Sequence, residues 1–191
     1  MITEQASLAH LHAALQVSFG WSDEHLYVFQ IRGWQFGDPS RAIELALAGG
    51  GVDKPLAAFG FETNEAFQYH YNLCVPWKID CRIESRCLVQ RDQPLRCLAA
   101  KGDPPDEDLD GPAAYPDWLQ DSSPAWAVHQ IEELLDEDMD GTQLRAEVLD
   151  IVGGARLSSS CRRSIDRRLR LLPASNWDAG SLYENADPID H

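Results

Sequence analysis

Residues 8–21 read LAHLHAALQVSFGW, and residues 22–36 continue directly as SDEHLYVFQIRGWQF. Leu8, Leu11, Leu15 and Phe19 recur at helical spacing and predict one apolar helix face. Gly20 stands where such a helix would stop. From Leu26 the period becomes two: Leu26, Val28 and Gln30 point one way, Tyr27, Phe29 and Ile31 the other. The stretch therefore predicts a helix that turns tightly into a strand, with Trp21, Asp23 and His25 in the joint. Every later segment has this pair to pack on.

Working outward, 191 residues support one full hydrophobic core plus an appendage. Five cysteines without dense spacing point to a reducing compartment. The first sixteen residues lack the basic and apolar regions of a secretory signal. No segment approaches the ~20 apolar residues of a membrane span. A soluble, cytoplasmic protein is the expectation. The net charge of -15 is concentrated: residues 103–150 hold 15 acids and one base, Arg145. Such a block repels phosphate and disfavours nucleic acid. It suits a solvated face, a cation site or a surface for a basic protein partner.

Further along, Arg32 to Pro39 reads as a strand end with turn residues, and Arg41–Ala48 as one or two helical turns. Gly49-Gly50-Gly51 lacks the Lys-Ser or Lys-Thr of a phosphate loop and is read as a turn. Pro55–Phe61 and Ala66–Leu73 predict strands, the second with Phe67, Tyr69 and Tyr71 on one face. Trp77, Ile79, Cys81 and Ile83 alternate with Lys78, Asp80, Arg82 and Glu84, the pattern of an antiparallel strand with one solvated side. Residues 93–116, rich in proline, glycine and acids, predict a long ordered loop. Helices are expected at Ala114–Leu119, Pro124–Leu135 and Gln143–Val152. A last one carries the stripe Leu157, Cys161, Ile165, Leu169 and Leu172. The chain divides into a core over 1–120, a helical extension over 121–172 and a polar tail over 173–191.

Three blocks give these landmarks a family resemblance. Leu11-His12 is followed by Phe19-Gly20-Trp21, Asp23 and His25-Leu26; then come Phe67, Tyr69, Tyr71 and Trp77. The third block is Arg96-Cys97-Leu98-Ala99, Gly102, Pro104-Pro105, Glu107-Asp108, Gly111 and Tyr115. Over roughly residues 8–119 the chain resembles the plasmid pRiA4b ORF-3-like family, largely uncharacterised proteins also found as passengers of mobile elements. The resemblance implies an α+β fold, a mainly antiparallel sheet packed against helices, here with a helical C-terminal extension. Two departures stand out. Where the family places Asp-Phe-Gly-Asp and a later histidine, this chain has Asn72-Leu73-Cys74-Val75 and Ile79. The family's strand ahead of the first helix has no counterpart, which would leave a sheet edge open to self-association.

His12, Trp21, Asp23, His25, Trp77, Glu107 and Asp108 are the candidate pocket or interaction residues. Acid–base or metal chemistry would require the loop acids to converge on the imidazoles; otherwise His12 is a helix-face hydrogen bonder. The cysteines form no zinc knuckle, and Cys81 reads as core. Hydrolase motifs are absent. The arginine-rich last helix could meet phosphate, although its apolar stripe argues for burial of one side. Residues 136–147 fit a calcium loop, with Asp136, Asp138, Asp140 and Glu147 as side-chain ligands and Thr142 through its carbonyl. Gln143 and Leu144 depart from that pattern, and an acidic interhelical turn is the main expectation, with no cofactor. The function expected is a non-enzymatic binding or accessory protein. The alternatives are a metal-dependent enzyme with a degenerate pocket and a calcium-binding protein.

Overall fold

The computed structural model describes residues 1–40, 48–88, 95–135, 139–154 and 162–172. The described residues form two compact units: Met1–Ala100 together with residues 162–172, and Lys101–Cys161. This grouping differs from the sequence segments 1–120, 121–172 and 173–191, since the last described helix belongs with the N-terminal unit.

In the first unit, α1 spans Leu8–Phe19. The Ser7 hydroxyl accepts the His10 amide and the His10 ring accepts the Ser7 amide, a capping box with histidine in the usual Glu/Gln place. Gly20 ends the helix at φ 76°, a left-handed conformation that glycine adopts without a Cβ clash. The most buried positions of α1 are Leu8, His12, Ala13 and Gln16, while Leu11, Leu15 and Phe19 are half-buried. Two polar residues thus occupy the stripe where leucines were expected, because their polar ends find partners inside.

After the joint come β1 (Tyr27–Ile31) and β2 (Trp34–Phe36). Arg32 and Gly33 connect them at φ 50° and 82°, the two-residue turn whose twist suits flanking strands. Glu65 holds the Arg32 guanidinium at 2.7 and 2.9 Å. β3 (Ala66–Tyr71) and β4 (Trp77–Arg82) complete a four-stranded antiparallel sheet in the order β2-β1-β3-β4. Its register sets Tyr27 against Tyr71, Phe29 against Tyr69, and Tyr71 against Trp77. These rings, with Phe67 and Ile31, are buried and form the core.

The strand expected at Pro55–Phe61 is instead a 3-10 helix, Leu56–Phe59. Its backbone is claimed by the N-terminal segment: Leu56 N–H donates to the Ala6 carbonyl at 2.8 Å and Ala57 N–H to the Glu4 carbonyl at 2.7 Å. Gly49 packs against Phe36, and Gly50 makes a bridge with Phe36. Seven of the eight residues of the Arg41–Ala48 prediction lie outside the described residues, as do the 173–191 tail and Leu157 and Cys161 of the last stripe. That last helix, α5, is described over Arg162–Leu169; it packs on α1 and buries Ile165 and Leu169. Between β4 and α5 in the chain lie α2 (Tyr115–Asp121), α3 (Pro124–Leu135) and α4 (Gly141–Gly154).

Those three helices belong to the second unit, where α2 packs on α3 and α3 on α4. Residues 101–114 carry no helix or strand, matching the expected ordered loop. The Tyr115 hydroxyl donates to the Asp103 carbonyl at 2.7 Å and fastens that loop to α2. No helix among the described residues is long and apolar enough to cross a membrane.

Candidate functional site

α1 presents His12 and Gln16 one turn apart, β3 presents Tyr69, and the joint presents Asp23. The four residues form a closed ring of hydrogen bonds. His12 Nε2 lies 3.0 Å from Asp23 Oδ1, and His12 Nδ1 lies 2.7 Å from the Tyr69 hydroxyl. Gln16 Nε2 donates to that hydroxyl at 2.9 Å, and Gln16 Oε1 accepts the Asp23 backbone N–H at 3.2 Å. All four residues are buried, Tyr69 completely.

The Tyr69 oxygen accepts from Gln16 Nε2 and pairs with His12 Nδ1, while His12 Nε2 pairs with the Asp23 carboxylate. Burial, the largest influence, pushes the Tyr69 phenol well above its ordinary value, so it stays a donor. The imidazole also stacks face to face on Tyr27, with centroids 3.6 Å apart and planes 5° apart. Asp23 takes φ 62°, a left-handed conformation that aspartate tolerates better than most side chains.

Beside the ring lies an aromatic layer. Trp21 stacks on Phe19 and Tyr71, each at 4.6 Å, with Trp77 6.4 Å away. His25 donates its backbone N–H to the Tyr71 hydroxyl at 3.3 Å, and its ring meets Tyr71 edge-on. The His25 Nε2 atom is buried without a hydrogen-bond partner among the described residues. The first unit thus brings together His12, Trp21, Asp23, His25 and Trp77. Glu107 and Asp108 belong to the second unit, with Asp108 N–H on the Asp106 carboxylate at 3.2 Å. The hydrogen-bonded ring closes with first-unit atoms alone.

Sequence reasoning missed Gln16 and the hydroxyl role of Tyr69. The i, i+4 spacing of His12 and Gln16 was an available signal. At the family departure, Asn72 adopts φ 56° and accepts the Val75 N–H in the β3–β4 turn, work for which a short amide suffices. Burial, followed by Asp80, raises the Cys81 thiol to about 12. In the calcium-loop candidate, Asp136 and Asp138 lie outside the described residues. Asp140 caps α4, accepting from Thr142 and Gln143 amides at 2.7 and 3.2 Å, and these bonds lower its pKa.

A family model described as plasmid pRiA4b ORF-3-like protein matches residues 1–149. The chain belongs to that family. Within the pRiA4b ORF-3-like proteins it is similar to uncharacterized protein y4hQ of Sinorhizobium fredii (strain NBRC 101917 / NGR234), at 29% identity over 117 residues. That match covers 59% of this chain and 58% of the relative, so the chain spans well under two thirds of its length. The crystal structure of protein of unknown function MM3350 from Methanosarcina mazei Go1 has a TM-score of 0.53 and 23% identity. It covers 73% of this chain and 80% of its own, and the likeness is one of fold.

Proposed function

We propose that the chain is a non-enzymatic binding protein that recognises a basic protein partner through the acidic surface of residues 103–150. The observation that carries this reading is the closed ring. His12, Asp23, Tyr69 and Gln16 direct their polar atoms at one another inside the fold, so the best-placed acid–base groups hold α1 and the joint to the sheet. A general acid or base has to reach a substrate proton within hydrogen-bond distance. The second unit offers acids to solvent, interspersed with exposed apolar Leu119, Val128, Leu135 and Leu149. Asp108, Asp110, Asp117, Asp121, Glu132 and Glu147 are all exposed.

The β4 edge is the weaker candidate for recognition. Among the described residues β4 pairs only with β3, yet Lys78, Asp80 and Arg82 are exposed along it, and such charges discourage strand addition. Titration calorimetry with a lysine- and arginine-rich peptide tests the proposal, using wild type and the Asp117→Asn/Asp121→Asn/Glu132→Gln variant. Binding that weakens with added salt and in the variant is expected. Absence of heat at low salt would overturn the reading.

A further inference from the structure

Five of the chain's 16 basic residues fall between positions 162 and 170: Arg162, Arg163, Arg167, Arg168 and Arg170. In a chain of net charge -15 that concentration is local, and three of the five have structural tasks. Arg170 grips the Asp166 carboxylate with Nε at 3.2 Å and Nη2 at 2.8 Å. Arg162 Nη1 donates to the Leu98 carbonyl at 3.4 Å. Arg168 is half-buried, its Nη1 3.6 Å from where a Cβ on Gly20 would sit, beside the C-terminus of α1; a cation is favoured at that end of a helix.

Arg163 and Arg167 are different. Both are exposed and one helical turn apart on α5, and among the described residues neither has an ion pair or hydrogen bond. Like charges at i, i+4 repel. The free protein therefore carries an electrostatic cost that an anionic ligand would relieve. On the same face the side chains of Arg162, Arg163, Asp166, Arg167 and Arg170 border a shallow, open depression of about 270 Å³. The Arg170–Asp166 pair shows this helix already holding one carboxylate through two guanidinium nitrogens.

We propose that the arginine face of α5 docks a short acidic peptide segment of a partner protein, its carboxylates taken by Arg163 and Arg167. Side chains one helical turn apart stand ~5–6 Å from each other at Cβ. Alternate residues of an extended peptide repeat every ~6.5 Å, so acids at i and i+2 reach the two guanidinia together. Nucleic acid fits less well. The exposed α5 side chains include no aromatic for base stacking, and the net charge opposes a long polyanion. This surface is independent of the acidic one proposed above, and either can stand without the other.

Fluorescence anisotropy at low salt with a labelled Glu-Ser repeat octapeptide tests it, with a Gln-Ser repeat as control. The double variant Arg163→Gln/Arg167→Gln, thermal melts of both proteins, a single-stranded DNA oligomer and inorganic phosphate complete the set. Wild type should bind the Glu-Ser peptide and not its control, and the variant should bind about tenfold more weakly. Without peptide the variant should melt at the same temperature or higher, since repulsion is removed. The proposal is overturned if wild type ignores the acidic peptide or the variant binds it equally. It is equally overturned by tighter DNA binding, by full displacement with millimolar phosphate, or by a lowered variant melting temperature that assigns the arginines to the fold.

Discussion

The Tyr69 oxygen has two partners at once, accepting from the Gln16 amide and pairing with His12 Nδ1. Tyr69→Phe keeps the ring's volume and deletes that single atom, taking a partner from the buried Gln16 amide and from His12 Nδ1. Such orphaned groups cost about 1–3 kcal/mol. Urea denaturation should show a loss in that range, and a loss below about 0.5 kcal/mol would mean that the ring adds little to the fold. Half of this ring was legible in the sequence. His12 and Asp23 stand out because a polar residue beside an apolar helix stripe invites a question. Tyr69 reads only as a core aromatic, since its hydroxyl partner depends on how β3 is registered against β1 and how deep α1 lies. The same uncertainty hid Gln16, whose one-turn spacing from His12 makes sense only when that face is known to be inward.

Turns show how one residue type serves two ends. Gly33 sits at φ 82° with nothing within 4 Å of where a Cβ would point, so backbone freedom is all it supplies. At Gly49 an added Cβ would meet the Phe36 ring at 2.6 Å and the Gln35 carbonyl at 2.7 Å. Asparagine adopts left-handed backbone readily, so Gly33→Asn should stay within about 0.5 kcal/mol of wild type. Gly49→Ala should cost about 1–3 kcal/mol through overpacking. Chemical denaturation of the two variants distinguishes the mechanisms, and equal losses would contradict them. Elements with long, clean periods were legible: α1, β3, β4, α3 and α4 all stand where periodicity placed them. β2 was not, because three residues are too few to establish a period. Pro55–Phe61 misled for a related reason: its apolar residues suit several backbones, and only contact with Glu4 and Ala6 selects the 3-10 helix.

Across the whole molecule, like charge is crowded into residues 103–150, where 15 acids face a single arginine. Added salt screens such repulsion, so the melting temperature should rise from low salt to about 0.2 M sodium chloride; a fall would show that attractive pairs such as Arg32–Glu65 dominate. The arrangement of the units was the least legible feature, since no periodicity announces that α5 rejoins a body begun at Met1. Where it rejoins is well defined. Cys97 N–H donates to the Asp166 carboxylate at 3.1 Å, and Arg162 reaches the Leu98 carbonyl, so the first unit's chain departs and returns at neighbouring points. That closeness has a consequence in time. A ribosome delivers α1 and the whole sheet early but withholds α5 until residues 101–161 have been made. The first body to emerge is therefore the last to be finished, and α1 waits with a bare flank while its later neighbour is still being translated.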